Sequence, residues 1–258
     1  VAVIGRPNSG KSTFINSVTK DNRVIVSNTP GTTIDSIDVP FKLDEQNFTL
    51  IDTAGIRKKS KVHEDIEFYS VMRAIRAIED CDVCLFMIDA NEGLQKQDLS
   101  IFSVIEKNKK GVVLLVNKWD TIEKDTNSTK SFEEDILGKI APFTDLPILF
   151  VSAISKQRIH KALETALEVY HNRTQKITTS KLNDVMLEAI QKNPPPSTKG
   201  KYIKIKYVTQ LPTHSPTFAF FCNLPQYIKD PYKRYLENQL RKNFDFKGVP
   251  VRMVFRKK

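Results

Sequence analysis

One stretch constrains this chain more than any other: Gly5-Arg6-Pro7-Asn8-Ser9-Gly10-Lys11-Ser12 follows the apolar run Val1 to Ile4 and opens a helix-forming segment. Glycines let backbone N–H groups converge on one point, and a helix beginning there adds the positive end of its dipole. A loop of this kind holds phosphates. Lys11 is expected to reach the β and γ phosphates of a nucleoside triphosphate and the Ser12 hydroxyl to bind Mg²⁺, with Gly5, Ser9, Gly10 and Thr13 lining the cradle.

What surrounds the loop sets the fold class. Strand-length apolar runs at Phe48 to Asp52, Val83 to Ala90, Val112 to Val116 and Ile148 to Val151 alternate with segments of helical period. That order predicts an α/β domain, a mostly parallel sheet with helices on both faces. Ile37, Val39, Phe41 and Leu43 recur instead at period two, an edge strand that Asp44-Glu45-Gln46-Asn47 turns into an antiparallel hairpin. A helix is expected from Glu64 to Glu79, with Ile66, Val71, Ile75 and Ile78 on one face.

The charge divides the chain in two. Residues 178–258 hold 16 Lys and Arg against 5 Asp and Glu, net +11, whereas residues 1–177 hold 24 against 25, net −1. A helical pattern ends near Tyr170, and the polar run His171 to Ser180 has little to bury. The expected organisation is a nucleotide-binding domain at 1–172, a linker at 173–180 and a basic domain at 181–258. With 40% apolar residues and 3 cysteines, the chain is neither a disordered tail nor a disulfide scaffold, and its thiols suit a reducing cytoplasm. No apolar run approaches a bilayer's thickness, and no basic region precedes the first strand, so neither a membrane span nor a secretory signal is expected. With no initiator Met, the chain reads as a piece of something longer.

Three further loops follow apolar strands in order. Asp52-Thr53-Ala54-Gly55 offers a carboxylate for the Mg²⁺ shell, through water, and a Gly N–H for the γ phosphate. Asn117-Lys118-Trp119-Asp120 offers a carboxylate that accepts from N1–H and the N2 amino group of guanine, while Asn117 bonds the other edge of the base and the Lys118 stem lies on the ring. Ser152-Ala153 is the fourth loop, at the sheet end where open α/β folds bind ligands.

On these residues, together with Pro30-Gly31-Thr32-Thr33, Ile56-Arg57-Lys58-Lys59, Tyr69-Ser70-Val71-Met72-Arg73, Asp89-Ala90-Asn91-Glu92-Gly93, Tyr207-Val208-Thr209-Gln210 and Tyr235 to Arg241, the chain resembles the Der (EngA) family of GTPases, specifically the second G domain and the C-terminal KH-like domain. The resemblance covers nearly the whole chain. It implies a P-loop GTPase fold, GTP hydrolysis to GDP coupled to large ribosomal subunit assembly, contact with that subunit and its rRNA, and a preceding G domain absent from this chain. Ile34 stands where relatives usually carry Arg, and the loop from Ser152 to Arg158 lacks the Gly that often follows there.

Ile56 occupies the position where Ras-like enzymes place a water-orienting Gln, and an alkyl group cannot do that work. Three readings stay open: slow hydrolysis, a group supplied by a partner, or a monovalent cation. Asn8 favours the third, because related cation-dependent GTPases use an Asn there to hold K⁺ between the phosphates; a loop-shaping turn residue is the alternative. In the switch, Thr33 is the expected hydroxyl toward Mg²⁺ and γ phosphate. The run Arg57-Lys58-Lys59-Ser60-Lys61 is either a solvated loop or an RNA contact. Cys81 and Cys84 have the C-x-x-C spacing without a second ligand pair, so no Zn site is expected.

In the basic region, Thr179 or Ser180 is expected to cap a helix that Asn193-Pro194-Pro195-Pro196 ends. Strands are expected at Tyr202 to Val208 and Thr217 to Cys222, a helix from Asp230 to Phe244, and a last strand containing Val249, Val251, Met253 and Phe255. The order α-β-β-α-β makes a small α+β KH-like domain. The Gly-x-x-Gly clamp of RNA-binding KH modules is missing, while Lys233, Arg234, Arg241 and Lys242 offer a phosphate-binding face or a solvated one. An RNA-binding scaffold with structural guanine nucleotide and negligible turnover is the alternative to a GTPase.

Overall fold

The computed structural model describes residues 1–20, 24–26, 38–43, 46–51, 66–123, 128–198 and 200–257, of which 24–26 and 66–71 by backbone only. Two compact units divide between Tyr170 and His171.

In the first unit, β1 (Ala2–Ile4), β5 (Val83–Asp89), β6 (Gly111–Asn117) and β7 (Ile148–Phe150) form a parallel sheet in the order β1-β5-β6-β7. Every residue of β5 and β6 is buried, as expected of central strands covered on both faces. The described helices of this unit are α1 (Lys11–Thr19), α2 (Ile66–Asp80), α3 (Lys96–Lys107), α4 (Ser128–Ile140) and most of α5 (Ile159–Thr174), whose last residues fall in the second unit. In the core, the ring of Phe102 lies tilted against Phe86 and stacks with Phe143, at centroid distances of 6.1 and 6.0 Å.

A second, antiparallel sheet has the order β2-β3-β4, from β2 (Val24–Val26), β3 (Val39–Leu43) and β4 (Gln46–Leu50). A parallel bridge from Ile51 to Ala2 joins it to β1. The expected antiparallel pairing is present, and Gln46 and Asn47, expected in the connecting turn, pair with Leu43 and Lys42. Ladder pairing there outweighs the turn preference of Asn. β2 carried no periodic signal because three residues are too few to show one.

In the second unit, α6 (Thr179–Lys192) and α7 (Asp230–Asn243) pack on one face of a sheet in the order β10-β9-β8, with β8 (Ile205–Gln210), β9 (Thr217–Cys222) and β10 (Arg252–Lys257). The α-β-β-α-β order is as expected, and several boundaries differ. Only residues 175–178 separate α5 from α6, so much of the anticipated linker is helical, and Arg173 within it is 6% exposed. Thr178 flanks the start of α6 without a side-chain cap bond. Tyr202 is 84% exposed and precedes β8, while Val249 and Val251 are buried ahead of β10.

Candidate functional site

The loop after β1 is shaped by two glycines. A Cβ on Gly5 would lie 2.2 Å from the Met87 carbonyl of β5. Gly10 has φ +98°, and a Cβ there would lie 2.1 Å from Asn117 Nδ2. Gly10 also starts α1 with no side-chain cap, and the first amide to bond inside the helix is that of Phe14, to Gly10 O at 2.9 Å. The amides of Lys11, Ser12 and Thr13 are therefore the orphan donors of a helix start, a cradle suited to phosphate oxygens. Ser12 and Thr13 are exposed, whereas Ser9 is 3% exposed and donates to Arg6 O at 2.9 Å. Asn8 is exposed at the loop's apex with φ 64°.

Lys11 Nζ donates to the same Arg6 carbonyl at 2.6 Å. Burial pulls its ammonium down to a pKa of about 8, partly opposed by the charge of Asp98. A lysine so desolvated gains much from an arriving phosphate anion.

Asn117 ends β6 at 2% exposure and joins three loops. Its Nδ2 donates to Ser9 O at 2.8 Å, and its Oδ1 accepts from Ala153 N at 3.0 Å. Gly10 has no side chain for this reason among others: the Asn117 amide passes where a Cβ would stand. One hydrogen of Nδ2 is left for a base, while the Ala153 amide is engaged by Asn117. The Ser152 hydroxyl is buried and accepts from Ser155 N at 3.1 Å, closing a tight turn in which Ser152 and Gln157 pair. The loop thus holds its shape without the missing Gly, by putting Lys156 and Arg158 at φ 58°.

Lys118 has φ 63°, and its Nζ lies 2.5 Å from Asp89 Oδ2. Asp89, at the end of β5, is buried, which would raise its pKa; the bonds from Lys118 and Asn91 outweigh that and lower it. The tether fixes the stem of Lys118. Trp119 packs on Phe150 and Phe132 at centroid distances of 4.4 and 5.3 Å, which leaves the neighbouring Asp120 exposed at the sheet end.

A further pair went unread in the sequence. Arg6 Nε donates to Asp98 Oδ2 at 2.8 Å, and an Arg6 Nη lies 2.7 Å from Glu92 Oε2. Asp98 is fully buried at the start of α3 and closes a reciprocal cap with Gln95. The cap spacing was available to inspection; the link to Arg6, 92 residues away, had no local signal. Thr33, Asp52, Gly55, Ile56 and the run Arg57 to Lys61 lie outside the described residues. For Mg²⁺, Ser12 presents a hard oxygen on the first turn of α1, the donor type the ion takes, beside the orphan amides of the helix start. Cys81 and Cys84 are buried with their Sγ atoms 3.4 Å apart, and no group of three metal-ligating side chains occurs among the described residues. No helix among them is long and apolar enough to cross a membrane.

In the second unit Arg241 departs from expectation. It lies 13% exposed, bonded to Glu237 Oε1 at 3.0 Å and to the carbonyls of Phe246 and Val249 at 3.1 and 3.0 Å. It is a brace for the chain leaving α7, while Arg234 is exposed.

Comparison with known proteins agrees with this geometry. Residues 1–118 match the family described as 50S ribosome-binding GTPase, and residues 176–256 the family described as KH-domain-like of EngA bacterial GTPase enzymes, C-terminal. The chain is 59% identical to GTPase Der of Flavobacterium johnsoniae and 57% identical to that of Christiangramia forsetii, in both cases over 100% of this chain and 59% of the relative. The chain therefore spans little more than half the length of these relatives. Among solved structures, Era in complex with MgGDPNP and a segment of 16S ribosomal RNA aligns with TM-score 0.52 at 22% identity, covering 100% of this chain and 91% of that one. That likeness shows the fold.

Proposed function

This chain belongs to the GTPase Der family, and from that premise we propose that it binds GTP, hydrolyses it to GDP, and through its nucleotide state alters contacts with the RNA of the large ribosomal subunit. The observation that carries the reading is the Asn117 amide, which ties the phosphate loop to the loop beginning at Ser152. A side chain spanning those two loops positions phosphate and base recognition as one unit. In this reading Lys11 and the amides of residues 10–13 hold the phosphates, and Asp120 selects guanine by accepting two hydrogen bonds. Mg²⁺, held by Ser12 with Thr33 and, through water, Asp52, supplies charge neutralisation when bound. Residues 1–172 form the G domain, with a preceding G domain and the large subunit as partners in a cytoplasmic setting. Asn8 would hold a K⁺ ion, which would supply positive charge to the transition state in place of the water-orienting group that Ile56 cannot provide.

Replacing Asp120 by Asn tests the base assignment. Each charge-assisted bond removed is worth about 1.5–3 kcal/mol, so GTP should weaken by at least tenfold while xanthosine triphosphate tightens. Unchanged GTP affinity removes Asp120 from the base. Turnover of saturating GTP should rise when K⁺ replaces Na⁺ and lose that difference in Asn8→Ala; equal rates in both salts in the unmodified chain return the catalytic group to a partner.

A further inference from the structure

The charge of the second unit is not spread evenly. All five carboxylates of residues 178–258, Asp184, Glu188, Asp230, Glu237 and Asp245, lie on α6, on α7 or just after it. Lys192, Lys233 and Arg241 are paired with them. From residue 189 to 229 and from 246 onward there is no Asp or Glu. The sheet and its flanks therefore carry only positive charge, at Lys204, Lys206, Arg252, Arg256 and Lys257, all exposed.

Strand register gathers part of that charge around aromatic rings. Phe218, Phe220 and Cys222 of β9 point into the core with the helices, so Phe221 points the other way. Tyr207 of β8 pairs with Phe221, and Arg256 of β10 pairs with it from the other side. The rings of Tyr207 and Phe221 stack at 4.4 Å and 12°. A register shift between Ile205 and Tyr207 makes this possible. In a regular strand Tyr207 would share the buried face of Ile205; the extra residue, Lys206, sends Tyr207 to the far face and returns Val208 to the core.

We propose that the second unit takes single-stranded RNA on the sheet face opposite its helices, with the cross-strand row Tyr207, Phe221 and Arg256 as its centre. This rests on the reading that the chain contacts RNA, and moves the contact away from α7. Unpaired bases stack on aromatic rings and guanidinium planes, and their phosphates need cations without neighbouring carboxylates. The sheet face combines both; on α7, Lys233 and Arg241 are already answered by Asp230 and Glu237, and the remaining cations have those carboxylates as neighbours. A single strand is the form of RNA whose bases are free to stack.

The test uses the whole chain and a fluorescent single-stranded RNA of about ten nucleotides, titrated at several salt concentrations. The double variant Lys206→Glu and Arg256→Glu should weaken binding at least tenfold and flatten the slope of log affinity against log salt by about 0.7 for each phosphate that is no longer neutralised. Tyr207→Leu, which keeps an apolar body in the row, should weaken binding with the slope intact. Arg234→Glu with Lys242→Glu on α7 should change affinity less than threefold. Retained GTP binding and an unchanged unfolding profile show that each variant is folded. Should the α7 pair abolish binding while the sheet pair leaves it intact, the sheet assignment is wrong and the RNA reading stands. No RNA binding by the unmodified chain removes both, and binding of anionic lipid vesicles in preference to RNA overturns the ligand class.

Discussion

Asn117 in the first unit donates from Nδ2 to Ser9 O and accepts at Oδ1 from Ala153 N, in two loops far apart in sequence. Asn183 in the second unit gives the same two atoms to a single residue, accepting from Val208 N and donating to Val208 O, each at 2.8 Å. One amide assembles a site; the other stands in for a neighbouring strand along the outer edge of β8, satisfying backbone groups that would otherwise invite a second chain. The contrast separates polar groups that organise loops for a ligand from polar groups that complete a fold, and residue type alone does not distinguish them.

Truncating each amide gives the sharpest separation. Asn117→Ala removes two buried bonds worth about 1–3 kcal/mol each and should lower GTP affinity by about a thousandfold, read by nucleotide titration. Asn183→Ala should leave that affinity within twofold and destabilise the second unit by about 1–2 kcal/mol, read by denaturant unfolding. If both variants lose nucleotide equally, the division of labour between the two amides fails.

Much of the first unit could be read in advance because phosphate and guanine dictate residue types at fixed spacing. Gly5, Gly10, Lys11 and Asn117 were singled out in that way, and the structure gathers them around the loop after β1. Asp98 did not, since its partner Arg6 is brought to it only by the parallel sheet. In the second unit the periodic helices and strands were legible, while the register shift at Lys206 was not: a bulge leaves the composition of a strand unchanged and alters only which face each residue takes. Arg241 misled for a related reason, because a basic residue on a helix reads the same whether it faces solvent or bonds to backbone carbonyls.

Arg6 and Arg241 differ between the units as the two amides do. Asp98→Ala leaves the Arg6 guanidinium, 17% exposed, with Glu92 alone, and should cost the first unit about 3 kcal/mol along with a looser phosphate loop and weaker GTP binding. Arg241→Ala should cost the second unit about 2 kcal/mol by removing the bonds to the carbonyls of Phe246 and Val249, with nucleotide affinity unchanged. Unfolding profiles of both variants beside GTP titrations measure the pair of effects. A nucleotide defect in Arg241→Ala would mean that the units share more than a chain.

The smallest effect expected comes from pH. Burial lowers the pKa of Lys11 to about 8, with Asp98 opposing it in part. A lysine depressed in this way is charged below that value and loses its proton above it, whereas phosphate contact requires the charge. Affinity for GTP should therefore be flat up to pH of about 7 and fall by about tenfold by pH of about 9, because one pKa unit corresponds to about 1.4 kcal/mol. In the second unit burial moves the phenol of Tyr232 and the thiol of Cys222 the other way, upward. RNA affinity should change less than nucleotide affinity over that range. Lys11→Arg supplies the control: a guanidinium keeps its charge at any of these pH values, so whatever affinity it retains should show no slope. A pH dependence that survives in Lys11→Arg would place the titrating group elsewhere in the site.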